Sequence, residues 1–180
     1  MSEEPKAPWL NHVALTTVIL AVCATLSTFK GGGYSTRSVI SQEQASDEWN
    51  YYQAKSIRES LHTLQKENLE IQASLPESVN SPETMKKLQE AIVTAGKNID
   101  KYEQQKKEIE AKAREYEAVR DDAQRNGRPF GIAVIFLQIG ILLCSISALF
   151  KRKPLWYLAM AVGAVGLVYF ADGFFLFMTV

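Results

Sequence analysis

The sequence predicts an all-α membrane protein: three transmembrane helices, with a long antiparallel coiled-coil hairpin between the first and the second. Three observations predict it. Apolar residues gather toward the two ends of the 180-residue chain and charges gather in its middle. The ends hold three apolar runs, each long enough to cross a hydrocarbon core of about 30 Å. The middle holds two stretches in which less hydrophilic residues recur at alternating intervals of three and four, the spacing of a heptad seam. A mean hydropathy of -0.10 conceals this division, which excludes a single soluble globular domain. With 20 Lys and Arg against 20 Asp and Glu, nothing in the net charge points to nucleic acid.

Residues 1–8 read as an N-terminal tail and 9–29 as the first transmembrane helix. No side chain from Pro8 to Phe29 is charged, and Trp9 stands where an interfacial aromatic belongs. The tail carries Lys6 against Glu3 and Glu4, a poor match to a secretory leader. Leu20-Ala21-Val22-Cys23 resembles a lipoprotein cleavage box, but Val22 is bulky where a small residue is expected. An uncleaved anchor is therefore expected.

Residues 30–40 form a Gly-rich junction, with Lys30, Gly31, Gly32, Gly33, Tyr34 and Arg37 as its candidate functional residues. Three successive glycines predict a hinge. They also leave backbone amides open to an anion or carbonyls open to a cation. The nucleotide-binding glycine pattern, which needs a following Lys-Ser/Thr, is absent.

Residues 41–128 form the expected hairpin. Its first seam reads Asn50, Ala54, Ile57, Leu61, Leu64, Asn68, Ile71, Leu75; its second reads Met85, Leu88, Ile92, Ala95, Ile99, Tyr102, Lys106, Ile109, Ala113, Tyr116. Pro76 to Asn80 is a turn by composition. Ser81 can cap the second helix, Pro82 suits its first position, and Glu83 favours its positive end. Asn126-Gly127-Arg128-Pro129 is expected to end that helix. Polar Asn50, Asn68 and Lys106 would fix register or partner number.

The second transmembrane helix is expected over 129–150, a basic turn over 151–154, and the third helix over 155–178. After Arg128 the ionic side chains are Lys151, Arg152, Lys153 and Asp172 alone. Asp172 is expected to be buried, because an acid within a span is costly unless it faces protein. Lys30 and Arg128 leave and enter on its side of the membrane and are its candidate ion-pair partners; an ion-binding or proton-relay role is the alternative. Gln138, near the middle of its span, calls for a helix–helix hydrogen bond. Thr17, Ala21, Ala24 and Thr28 lie on one face of the first span, suited to close packing within the chain or about an oligomer axis. Ala159, Gly163 and Gly166 form a similar packing face.

Two cysteines, Cys23 and Cys144, are expected near opposite membrane faces and hence unpaired. His12 and His62 fall in different segments. No cofactor or metal site and no catalytic constellation is legible, so an enzyme is not expected.

One further signal lies in Thr28-Phe29-Lys30-Gly31-Gly32-Gly33-Tyr34-Ser35-Thr36-Arg37, followed by Ser41-Gln42, Gln44-Ala45-Ser46-Asp47, Trp49 and Tyr52-Gln53-Ala54-Lys55-Ser56. Together with the preceding Ala14 to Thr25, this stretch resembles a bacterial membrane family catalogued as domain of unknown function 4337. The resemblance implies a bacterial inner-membrane location and one span, a charged helical middle and two further spans. It implies no activity or ligand, and it directs attention to residues 30–56. The crowded Lys151, Arg152 and Lys153 then favour a cytoplasmic turn and a periplasmic hairpin; Lys30, Arg37, Arg120, Arg125 and Arg128 weigh against it less, since long loops translocate largely regardless of charge. The functional expectation is a homo-oligomeric scaffold in the lipid bilayer that presents the hairpin. The alternatives are a homo-oligomeric channel with the first span near its axis, and a subunit that docks a partner protein through the hairpin.

Overall fold

The computed structural model describes residues 8–76 and 82–177. Among the described residues there are three long helices: α1 (Trp9–Ala73, 65 residues), α2 (Pro82–Phe150, 69 residues) and α3 (Lys153–Phe175, 23 residues). Each is long and apolar enough to cross a membrane. No strand occurs among the described residues. The tail, the turn after Pro76, the Ser81 cap and the end of the third span lie outside them. Two compact units result, one of Met1–Ile40 with Val119–Val180, the other of Ser41–Ala118.

Two expected breaks do not occur. Helix α1 runs straight through Gly31, Gly32 and Gly33, and no glycine takes a positive φ. The glycine run is therefore not a hinge. Helix α2 runs through Asn126, Gly127 and Pro129. Intrinsic propensity opposes both outcomes, at about 1 kcal/mol per glycine and about 3 for an interior proline. Close approach of the helices offsets it. A Cβ on Gly31 would lie 3.2 Å from Phe130 Cβ, and one on Gly127 would lie 3.0 Å from Tyr34 Cβ.

In the first unit, α1 buries Val13, Leu20, Ala24, Ser27 and Ser38, at successive intervals of seven, four, three and eleven, each close to whole helical turns. Large side chains of one helix fit glycines of another. Leu20 lies over Gly140 and Gly163, where a Cβ would come within 3.1 and 3.0 Å of its Cδ1, and Leu137 lies over Gly166, where a Cβ would come within 2.8 Å of its Cγ. Ala159, Gly163 and Gly166 are buried, forming the packing face expected of α3. The basic turn also forms as expected. Lys151 takes a φ of 50°, Arg152 is extended, and a proline occupies the first turn of α3. Ser147 Oγ donates to the Arg152 carbonyl at 3.0 Å, and the Arg152 N–H returns a bond to the Ser147 carbonyl at 3.2 Å.

The second unit pairs 41–73 of α1 with 82–118 of α2 in antiparallel fashion. Trp49 Nε1 donates to Glu117 Oε1 at 3.0 Å, Lys106 pairs with Glu59, and His62 stacks on Tyr102 with ring centroids 5.6 Å apart. Partner numbers fall on one arm as they rise on the other. The α2 seam is the expected one, with Ala95, Ile109 and Ala113 buried. The α1 seam is not. Its inward positions are Ser41, Ala45, Tyr52, Lys55, Glu59, His62, Lys66, Leu69 and Ala73, while Ile57, Leu61, Leu64, Ile71 and Leu75 are 48 to 61% exposed. The expected alternation is displaced by two residues, about 200° around the helix. Small and amphipathic side chains do the covering instead. Lys55 is buried, its Nζ 4.8 Å from the Tyr51 ring centroid and 5.6 Å from that of Tyr102. Lys106 Nζ lies 5.7 Å from the Tyr52 centroid. Hydrogen bonding to Glu59 holds the Lys106 ammonium above its ordinary range, against the opposing effect of desolvation.

Gly173→Ala should destabilise the fold by about 1–3 kcal/mol through overpacking, because its Cβ would meet the Phe130 ring at 2.7 Å. Gly96→Ala, with nothing within 4 Å, should stabilise by up to about 1 kcal/mol; thermal unfolding of the two variants in detergent compares them. Because the Lys106 pKa is raised on folding, its contribution is complete below about pH 10.4 and is lost as pH rises through the higher folded value. Unfolding scans across that range should show a stability loss in the native chain that Glu59→Gln reduces.

Candidate functional site

The expected junction residues meet α2 and α3 around one aromatic ring. Phe130 of α2 is 1% exposed. Gly31 flanks it on α1, where a Cβ would lie 3.2 Å from Phe130 Cβ; Gly173 flanks it on α3, where a Cβ would lie 2.7 Å from the ring. Tyr34 stacks on Phe130 with centroids 6.1 Å apart and 18° between planes, and Phe174 meets it edge-on at 5.3 Å. Each contact follows from local sequence. Gly31 and Tyr34 lie three residues apart and share a helix face. Gly127 stands three residues before Phe130, so the Tyr34 Cβ can lie over it.

Asp172 is fully buried beside this cluster, as expected for an acid in an apolar segment. Its backbone carbonyl accepts the Leu176 N–H at 2.7 Å, and Leu176 takes a left-handed conformation that closes α3. Lys30 is exposed, with Nζ 6.0 Å from the Phe174 centroid; Arg128 is exposed two residues before Phe130 on α2. The structure thus brings the stretches carrying Asp172, Lys30 and Arg128 together around Phe130.

The remaining candidates separate. In the face Thr17, Ala21, Ala24 and Thr28, Ala24 is buried, Thr17 and Ala21 are half-buried and Thr28 is exposed. Thr17 Oγ1 donates to the Val13 carbonyl and Thr28 Oγ1 to that of Ala24, both at 2.9 Å. Gln138 is exposed on the outer side of α2 rather than turned toward another helix of the chain. Cys23 and Cys144 are both free. Among the described residues no group of His, Cys, Asp and Glu could hold a metal ion.

An open groove of about 650 Å³ follows the outer side of the junction, lined by Thr28, Phe29, Lys30, Gly32, Gly33, Tyr34 and Arg37. Sequence reading found the α1 side of this region through its glycines. It missed Phe130, Gly127 and Gly173. Their signal was an aromatic residue and two glycines at matching depths of consecutive apolar segments, which only a helix pairing could align.

These features define an all-helical protein with three helices long and apolar enough to cross a membrane. The chain belongs to the family described as Domain of unknown function (DUF4337), which matches residues 9–176. No curated protein and no solved structure matches it.

Phe130→Ala would keep the Cβ that meets Gly31 but empty the ring space between Tyr34 and Gly173, and should cost about 3–5 kcal/mol. Thermal unfolding of the detergent-purified variant checks this, with the largest loss of protection in hydrogen exchange expected at Gly31–Tyr34 and Asp172–Phe174.

Proposed function

We propose that this chain is a non-enzymatic, homo-oligomeric scaffold of the bacterial inner membrane. It crosses the membrane three times and presents an antiparallel coiled-coil hairpin, with the basic Lys151–Lys153 turn in the cytoplasm and the hairpin in the periplasm. One observation carries the self-assembly: the outward stripe of α1. Ile57, Leu61, Leu64, Ile71 and Leu75 are 48 to 61% exposed, and with Asn68 they recur at alternating intervals of three and four. That is the seam of a second helix pairing, left unfilled by the chain itself. Asn68 is exposed within it, at a position where a polar side chain sets register and partner number. Two copies anchored in one membrane leave it in the same direction, so Asn68 can meet Asn68. The flanking positions suit such pairing, because Arg58 would face Gln53 and Glu67 would face Gln72, with no like charges opposed. Gln138, exposed on an apolar segment, supports a further contact within the membrane, where an amide facing lipid gains from a partner helix. The channel reading draws less support, because Thr17 and Thr28 direct their hydroxyls to their own helix.

Light scattering of the detergent-purified chain tests this reading. The native chain should be an oligomer, and Leu61→Glu with Leu64→Glu should lower its mass while leaving helicity unchanged. A monomeric native chain would overturn self-assembly and assign the stripe to a different protein.

A further inference from the structure

We infer that the groove along Lys30, Gly33, Tyr34 and Arg37 binds the phosphate headgroup of an acidic phospholipid. The inference rests on the membrane-spanning part of the proposed function and is independent of self-assembly. Lys30, Gly33 and Arg37 fall at intervals of three and four, so the three share one face of α1 with the cations about 10 Å apart along the axis. They stand where the uncharged run from Pro8 to Phe29 ends, the level of phosphate groups when that run fills the hydrocarbon core. No Asp or Glu occurs from Pro8 to Gln42, and among the described residues neither cation has a carboxylate partner. Some exposed cations of the hairpin do take one: Lys87 with Glu83, Lys107 with Glu103, Arg114 with Glu110.

Gly33 supplies the second observation. Gly31 is accounted for by Phe130, but a Cβ on Gly33 would meet nothing within 4 Å. Helix packing gives no reason for its missing side chain, and glycine in a helix interior costs stability relative to alanine. Its effect is an open floor between two cations, in a groove of about 650 Å³. Phe29, 79% exposed, walls that groove with apolar surface suited to the glycerol and upper acyl region. The two cations complement the phosphate charge, Arg37 in fork geometry and Lys30 as a point charge.

Native mass spectrometry of the full detergent-purified chain, with phosphatidylglycerol and phosphatidylcholine added in equal amounts, tests the inference. The native chain should retain phosphatidylglycerol preferentially, and Lys30→Gln with Arg37→Gln should weaken that retention about thirtyfold. Gly33→Leu keeps both charges and enters open space, so it should fold normally and still lose the preference. Equal retention of the two lipids by the native chain, or an undiminished preference in Gly33→Leu, would overturn the groove. Displacement of the lipid by millimolar inorganic phosphate would overturn a lipid source in favour of a soluble anion. A carbonate wash of cell membranes separates the two failures: release of the chain would overturn the membrane-spanning reading beneath the inference, whereas a retained chain without lipid preference would overturn the groove alone.

Discussion

The contact of Phe130 with two glycines is what lets three helices meet at one level. Gly31 presents bare backbone to the Phe130 Cβ and Gly173 presents it to the ring, and a side chain on either would crowd Phe130. Apolar segments gain little from hydrophobic exclusion when their surroundings are also apolar, so their association rests on close contact and dispersion. The same device recurs along the first unit. Leu20 occupies Gly140 and Gly163, and Leu137 occupies Gly166. Buried Asp172 sits next to the glycine that receives Phe130, so the one acid of the apolar segments is placed where the packing is tightest.

The second unit solves a different problem with different chemistry. Its α2 arm offers an apolar seam, and the facing side of α1 offers Ser41, Ala45, Tyr52, Lys55, Glu59 and His62. Serine and alanine allow close approach. Tyrosine, lysine and histidine bring apolar stems or rings with polar ends. The Lys106–Glu59 pair and the bond from Trp49 to Glu117 set which residues face one another. Covering the seam this way leaves Ile57, Leu61, Leu64 and Ile71 of α1 on the outside.

Fold class was legible because it depends on long averages. Uncharged runs gave three helices able to cross a membrane, and the α2 seam was read correctly from Met85 to Tyr116 because its apolar residues face its neighbour. The α1 seam was misread for a physical reason. Hydrophobic periodicity marks a face to be covered without saying what covers it, and on α1 the apolar stripe is not the face turned to α2. The breaks at Gly31–Gly33 and at Asn126–Pro129 were inferred from local propensity, which tertiary contact overrides by a few kcal/mol. Of the candidate site, Lys30 to Arg37 and Asp172 were visible as single residues. Phe130 was not, because its role exists only once Gly31 and Gly173 lie beside it.

The two faces of α1 in the second unit also restrict how this stretch can change length. Each residue added or removed between Ser41 and Ala73 turns every later position by about 100°. One such change would carry Ile57, Leu61 and Leu64 partly toward α2 and bring Lys55 and Glu59 out, disturbing both faces together. A change of seven residues restores the phase, but the antiparallel arm must then lengthen by the same amount to keep its partners. Insertions tolerated in evolution should therefore come as matched heptads in both arms, so that a mutational event rare in either arm alone is needed twice.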